Sequence, residues 1–343
     1  MKMFAGLDVG LKVTAICVVD QEGKVVWRGK EASQPELLAH ALDPFRECLE
    51  KVGLESGSLS PYLCRSLLSY GLPVVCMDAR RAADAVKSRR VKTDRADAHA
   101  LAEMLRTGWY TSVHVKSEEA HRLKALLGAR DQLVRIKRSL GNQIRGLLRP
   151  FGIRLPARQG TKRFAEAVHE AVSGDDLLYA SVSALLEALA GVESQLARLN
   201  GEVQRLAGRC PICWRLMSVP GVGPVTALSF RASIDDITRF RRLRDVGAYL
   251  GLTPKRHQSG ETDIPLGISR QGESMARHYL YEAANVLLST VRGSSALKSW
   301  GLAVLKRRGP KRARVAVARK LACLLARLWR EAVHFEAGLR PAR

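Results

Sequence analysis

The stretch "YASVSALLEALAGVESQLARLNGEVQRLAG" limits what this chain can fold into more than any other part of it. Val182, Leu185, Leu189, Val192, Leu196, Leu199, Val203 and Leu206 alternate at spacings of three and four. Such a heptad seam is buried only when a long helix lies lengthwise on another helix. The preceding segment "HRLKALLGARDQLVRIKRSLGNQIRGLLRP" supplies a second amphipathic helix. It carries Leu126, Leu133, Ile136, Leu140, Ile144 and Leu147 on one side and many Arg and Lys on the other. The seam closes either on this helix or on another copy of the chain, and heptads alone do not choose between them. The middle of the chain is expected to be a helical, coiled-coil linker.

Neither flank shares that pattern. From Met3 to Lys30 the order is strand, turn, strand, with "MFAGLDVG", "KVTAICVVD", the reversal "QEGK" and "VVWRGK". A helical run "QPELLAHALDPFRECL" follows, then a short strand ending "VGLES", a helix near Ser60 to Tyr70, the strand "LPVVCMD", and a helix within "RRVKTDRADAHALAEMLR". The order β, β, β, α, β, α, β, α suits an α/β domain with a mixed sheet and helices on its faces. Beyond Arg209 the chain turns mostly helical again. Its composition shifts at "CPIC" and the Gly-rich "WRLMSVPGVGPVTALSF", and a basic helix follows Trp300. The expected division is 1–113, 114–209 and 210–343.

Lys and Arg number 56 against 33 Asp and Glu, a net charge of +23, which calls for a polyanionic partner. No window approaches the run of about 18 apolar residues that a membrane span needs. The first residues reach an acidic side chain too soon for a secretory leader, so a cytoplasmic protein with no membrane contact is expected. Of seven cysteines only Cys210 and Cys213 form a C-x-x-C, and without a second pair zinc is not expected.

The carboxylates carry the chemistry. Asp94 and Asp97 stand three apart among Arg89, Arg90, Lys92 and Arg95. Helix capping alone would account for them. Asp8, however, lies within the first strand, where an uncompensated carboxylate is disfavoured, and Glu55 ends a later strand, where open α/β sheets gather ligands. Four carboxylates converging on one point repel unless they hold a hard divalent cation. Two such ions about 4 Å apart would clamp a scissile phosphodiester, and the four neighbouring cations would then contact phosphate.

The start "GLDVG", the strand end "GLES" and above all "KTDRADAHALAEML" resemble the RNase H-like, RuvC-like DEDD domain of the insertion-sequence one-hundred-and-ten family of transposases. The resemblance implies Asp8, Glu55, Asp94 and Asp97 as an acidic tetrad holding Mg²⁺ or Mn²⁺. "VVCMDARRAADAV" departs from the Asn-Pro that many relatives carry, outside the tetrad. "GAYLGLTPKRHQSGETDIPLGISRQGESMARHYLYEAANVLL" resembles the family's C-terminal transposase domain, which implies Ser259 as nucleophile beside Lys255, Arg256 and His257. Chemistry alone leaves a surface-turn serine open, since an unactivated hydroxyl needs a base, a metal or strong phosphate polarisation. Ser269 and Ser274 are rivals that could equally cap helices.

Arg270 and Arg277 are plausible phosphate clamps. "VPGVGPVTA" reads either as an ordinary turn or as a helix-hairpin-helix element whose Gly221 and Gly223 let backbone N–H groups approach phosphate. The family further implies donor and target DNA as partners, a structured noncoding guide RNA, and a homodimer or homotetramer in which the two sites meet across subunits. A metal-dependent junction nuclease and a nonenzymatic architectural protein are the competing readings.

Overall fold

The computed structural model describes residues 1–78, 94–155, 160–259 and 262–337, with the side chains of 256–259 and 262–266 left aside. The chain forms two compact units, Met1–Lys116 and Ser117–Arg343.

The first unit is a five-stranded mixed sheet flanked by helices. Its elements run β1 (Met3–Val9), β2 (Val13–Asp20), β3 (Val25–Ala32), α1 (Pro35–Leu42), β4 (Leu49–Glu55), α2 (Ser60–Ser69), β5 (Val74–Met77) and α3 (Asp94–Thr107). Strand order is β3-β2-β1-β4-β5, antiparallel across β3-β2-β1 and parallel across β1-β4-β5. Side chains alternate between faces. Ala5, Leu7, Ile16, Val18, Val52 and Leu54 meet α1 and α2 on one face. Phe4, Ala15, Cys17 and Val19 meet Ala98, Leu101, Ala102 and Leu105 of α3 on the other. Leu101 and Leu105 are each about 1% exposed, and their burial contributes about 2 kcal/mol apiece.

Gly6 sets how closely α3 approaches the sheet. A Cβ there would lie 2.5 Å from the Ala102 amide nitrogen and closer still to the Ala98 carbonyl. The far end of α3 reaches the β2–β3 turn, where Glu103 and Arg106 surround Gly23. The helix therefore runs antiparallel to β1, and its first turn comes to the end of β1 that carries Asp8.

The second unit is almost wholly helical. It contains α4 (Glu118–Leu148), α5 (Thr161–Ala171), α6 (Asp176–Gly208), α7 (Pro211–Met217), α8 (Pro224–Ile234) and α9 (Asp245–Tyr249). The hairpin β6 (Pro254–Ser259) and β7 (Thr262–Ile268) follows, then α10 (Ser274–Ser289), α11 (Ala296–Arg308) and α12 (Pro310–Glu331). Ser117, Asp175 and Ser295 cap α4, α6 and α11 by accepting hydrogen bonds from the third residue onward.

The two long helices α4 and α6 pack together within the chain. Ile144 and Leu148 meet Val182, Leu186 and Leu189 at one end, and Leu123 and Leu127 share a core with Val203 and Ala207 at the other. Between these ends Val192, Leu196 and Leu199 are half-buried. Leu186, which is not a seam residue, is buried, whereas Leu185 of the expected seam is only partly so. The cause is α5: Phe164 and Val168 cover α6 from a second side and widen its apolar face. By length and composition α6 alone among the described helices would reach across a membrane. Here its Val182, Leu186 and Leu189 are buried with residues of α4 and α5.

Candidate functional site

Asp8 and Glu55 sit side by side on one face of the sheet. The parallel pairing of β1 with β4 runs through Leu7 and Leu54, so the next residue of each strand is one of the two carboxylates. Alternation puts Asp8 on the face of Phe4 and Gly6, and Glu55 on that of Gly53, whose Cβ would meet Leu105. That is the α3 face. Asp8 also pairs with Ala15, and Ala15 with Lys30. Glu55, Asp8, Ala15 and Lys30 thus form a row across four strands.

Asp94 and Asp97 occupy the first turn of α3 and extend its sheet-facing stripe of Ala98, Leu101 and Leu105 by one turn. Acidic side chains suit this end of a helix dipole. Lys30 Nζ donates to Asp94 Oδ2 at 2.9 Å. That hydrogen bond, with the ammonium charge, holds the Asp94 carboxyl below the usual carboxylate range. Asp97 is half-buried, and its Oδ1 is buried without a hydrogen-bond partner.

In kind, this donor set suits a hard cation. It offers four carboxylates from two strand ends and one helix start, including a buried oxygen of Asp97 that has no hydrogen-bond partner among the described residues. Among the described residues no three such side chains are already gathered at metal-holding distance. Asp94 instead meets Lys30 of β3.

Sequence reasoning missed Lys30. The β2–β3 pairing shifts register between Val18 and Val19. Extending the Val19–Val25 pair without that bulge would put Gly29 opposite Ala15 and turn Lys30 to the other face, because a slip of one residue flips every side chain. Arg95 is exposed at the start of α3. Arg89, Arg90 and Lys92 lie outside the described residues.

In the second unit Ser259 ends β6 and pairs in register with Thr262, so its backbone stands at the tip of the β6–β7 hairpin. Lys255 is exposed on the same strand, which also carries Arg256. Of the rival serines, Ser269 accepts a long 3.5 Å hydrogen bond from the Gln271 amide, and Ser274 opens α10. Arg277 donates through Nη1 to the Leu250 and Gln271 carbonyls at 2.9 and 3.0 Å, which ties two loops together. Burial, and then the nearby charge of Arg270, holds its pKa below the usual arginine value. Arg270 is exposed.

Gly221, at φ +90°, turns toward protein: a Cβ would come 2.8 Å from the Ala283 carbonyl of α10. Gly223 opens α8 with nothing within 4 Å of a Cβ. Cys210 and Cys213 are buried, and Cys210 Sγ accepts from the Cys213 amide at 3.4 Å as the cap of α7.

A mixed sheet that lines up carboxylates under the start of a basic-flanked helix, in a chain of net charge +23, is the architecture of proteins that handle nucleic-acid phosphodiesters. Comparison with known proteins narrows the class. The family model described as "Transposase IS116/IS110/IS902 family" matches residues 213–300, and a DEDD model of the IS110 group, described as "Transposase", matches residues 5–152. "Transposase for insertion sequence element IS1111A" of Coxiella burnetii is 34% identical over 93% of this chain and 87% of its own length. "Probable family 20 transposase" of Pseudomonas aeruginosa is 30% identical, covering 93% and 94%. Among solved structures, T. thermophilus RuvC in complex with Holliday junction substrate aligns at 16% identity and a TM-score of 0.26, over 33% of this chain and 100% of that one. The chain belongs to the IS116/IS110/IS902 family of transposases, enzymes of DNA transposition.

Proposed function

We propose that this transposase breaks and rejoins DNA through a serine–phosphate link, with the acidic face of one subunit and the hairpin of another acting on one scissile phosphodiester. Asp8, Glu55, Asp94 and Asp97 would hold Mg²⁺ or Mn²⁺, which supplies charge stabilisation at the phosphate. The observation that carries the reading is the row of Glu55 and Asp8 on adjacent parallel strands beneath the first turn of α3.

The Ser259 hydroxyl oxygen forms a bond to phosphorus as the bond from phosphorus to the leaving strand oxygen breaks, and that oxygen takes up a proton. The linked phosphate keeps the energy of the broken bond for joining to another strand, where hydrolysis would lose it. Arg89, Arg90, Lys92, Arg95, Lys255, Arg256 and Arg270 neutralise strand phosphates, and the remaining donors of Arg277 add to them. Gly223, at the open start of α8, offers its own N–H and those of Val225 and Thr226 to the DNA backbone.

The functional division is 1–113, 114–209 and 210–343, a catalytic domain, a linker and a transposase domain. The half-buried seam residues Val192, Leu196 and Leu199 favour a dimer or tetramer built on the linker. Donor and target DNA are the substrates. A structured guide RNA held by the basic helices chooses them by base pairing, in a cytoplasmic setting. The test is a denaturant-resistant protein–DNA adduct that needs both Ser259 and Asp94.

A further inference from the structure

The second unit holds a cavity of its own. It has a volume of about 640 Å³, the size of a pocket for a small organic molecule and far too small for a duplex. Arg244, Lys311, Arg312, Arg319 and Lys320 line it, and no acidic side chain does among the described residues. None of these five forms an ion pair among the described residues. Between them Leu252, Ile268, Val315 and Trp300 form an apolar wall, and the Lys320 ammonium lies 4.4 Å from the centre of the Trp300 ring.

The floor is the first part of α12, a helix of 22 residues that starts at Pro310 without a side-chain cap. Its free N–H groups and positive dipole end add to the charge of Lys311 and Arg312. A flat apolar ligand flanked by anionic groups matches every part of this lining. A single nucleotide is such a ligand: its base packs against an aromatic ring and its phosphates meet arginine and lysine.

Position selects the strand it comes from. Pro254 and Ile268, the outer ends of β6 and β7, border the cavity, and Ser259 stands five residues along β6 from Pro254. Five strand residues span about 17 Å, the length of about five stacked nucleotides. We infer that the cavity receives one unstacked nucleotide of the DNA strand whose phosphate meets Ser259, with its base against Trp300 and its phosphates at Lys311 and Arg312. This rests on the reading of Ser259 as the residue that acts on DNA.

The experiment uses the full chain and a 20-nucleotide single-stranded DNA bearing one 5-iodouracil, beside the same sequence as RNA and as duplex DNA. Ultraviolet crosslinking followed by peptide mapping is expected to join the single-stranded DNA to Trp300. Loss of stacking in Trp300→Leu, or of phosphate contact in the exposed Arg312→Glu, is expected to weaken single-strand binding about tenfold. Duplex binding would change by less than about twofold, because the cavity admits no duplex. Trp300→Phe keeps a ring and restores most of the affinity, which separates stacking from a folding defect.

Equal weakening of single-stranded and duplex DNA, or crosslinking of RNA alone, would overturn the inference. A crosslink at Trp300 without any Ser259-dependent adduct would keep the cavity and remove the serine reading. An adduct without the crosslink would remove the cavity alone.

Discussion

Lys30 and Asp94 are 64 residues apart in sequence and meet at 2.9 Å, a lysine on the third strand holding a carboxylate from the first turn of α3. The pair puts a cation beside the carboxylates, with Asp94 turned to β3. If the four carboxylates hold a divalent ion as proposed, that ion would compete with Lys30 for Asp94.

Replacing Lys30 by Gln removes the competitor. The apparent affinity for Mn²⁺, followed by titration calorimetry, is expected to rise about two- to fivefold, the scale of an exposed ion pair. An unchanged or weaker affinity would mean that Lys30 supports the ion, not opposes it. The sign in pH follows. Asp94 is depressed below its unfolded value, so the pair is complete above about pH 3.9 and is lost as pH falls through the lowered value. Carbon-13 titration of Asp94 should show its midpoint moving up in Lys30→Gln.

If Asp97 holds the ion as proposed, it exchanges stability for function. A buried carboxylate oxygen without a hydrogen-bond partner is costly in the ion-free protein. Asp97→Asn should leave the denaturation midpoint unchanged or raise it, while strand transfer falls by at least about a hundredfold, as for lost metal ligation. A destabilised variant would point to a capping role for Asp97 in α3.

Gly6 sets the distance between α3 and β1. Gly6→Ala pushes a methyl group into the backbone of Ala98 and Ala102, and chemical denaturation should show a loss of about 3 kcal/mol or more. Strand transfer would be lost with it, since the same displacement carries Asp94 and Asp97 away from Asp8.

Tyr279 bridges two helices. Its hydroxyl donates to Asp131 and accepts from Arg130. Burial, and then the Asp131 carboxylate, pushes its pKa up to about 12. A raised pKa stabilises the neutral form, so its contribution is complete below about pH 10 and is lost as pH rises from there to about 12. Tyr279→Phe should cost about 1 kcal/mol at neutral pH and flatten the alkaline fall in stability. An identical alkaline profile in the variant would count against the assignment.

Much of the acidic face was legible because its signals are local. Asp8 interrupts an apolar strand, Glu55 ends one, and Asp94 and Asp97 open a helix whose Ala98, Leu101 and Leu105 keep the helical period. Lys30 was hidden because its face depends on a bulge that no residue type announces. The widened apolar face of α6 was hidden for a different reason: Leu186 is buried by α5, which is separated from it in sequence, and a heptad count sees only one partner at a time. Gly221, read in the sequence as either a turn or a phosphate-binding glycine, also packs closely on α10, a contact about sixty residues away that spacing cannot reveal.

The most direct measurement of the central claim is denaturing gel analysis after incubation of the protein with labelled junction DNA, RNA from the flanking region and Mg²⁺. Wild type, Ser259→Ala and Asp94→Ala would be run side by side. Serine recombination assisted by the acidic face gives a protein-linked DNA band that both substitutions abolish. Free cleaved DNA from Ser259→Ala, absent with Asp94→Ala, would contradict it and leave a metal-dependent nuclease.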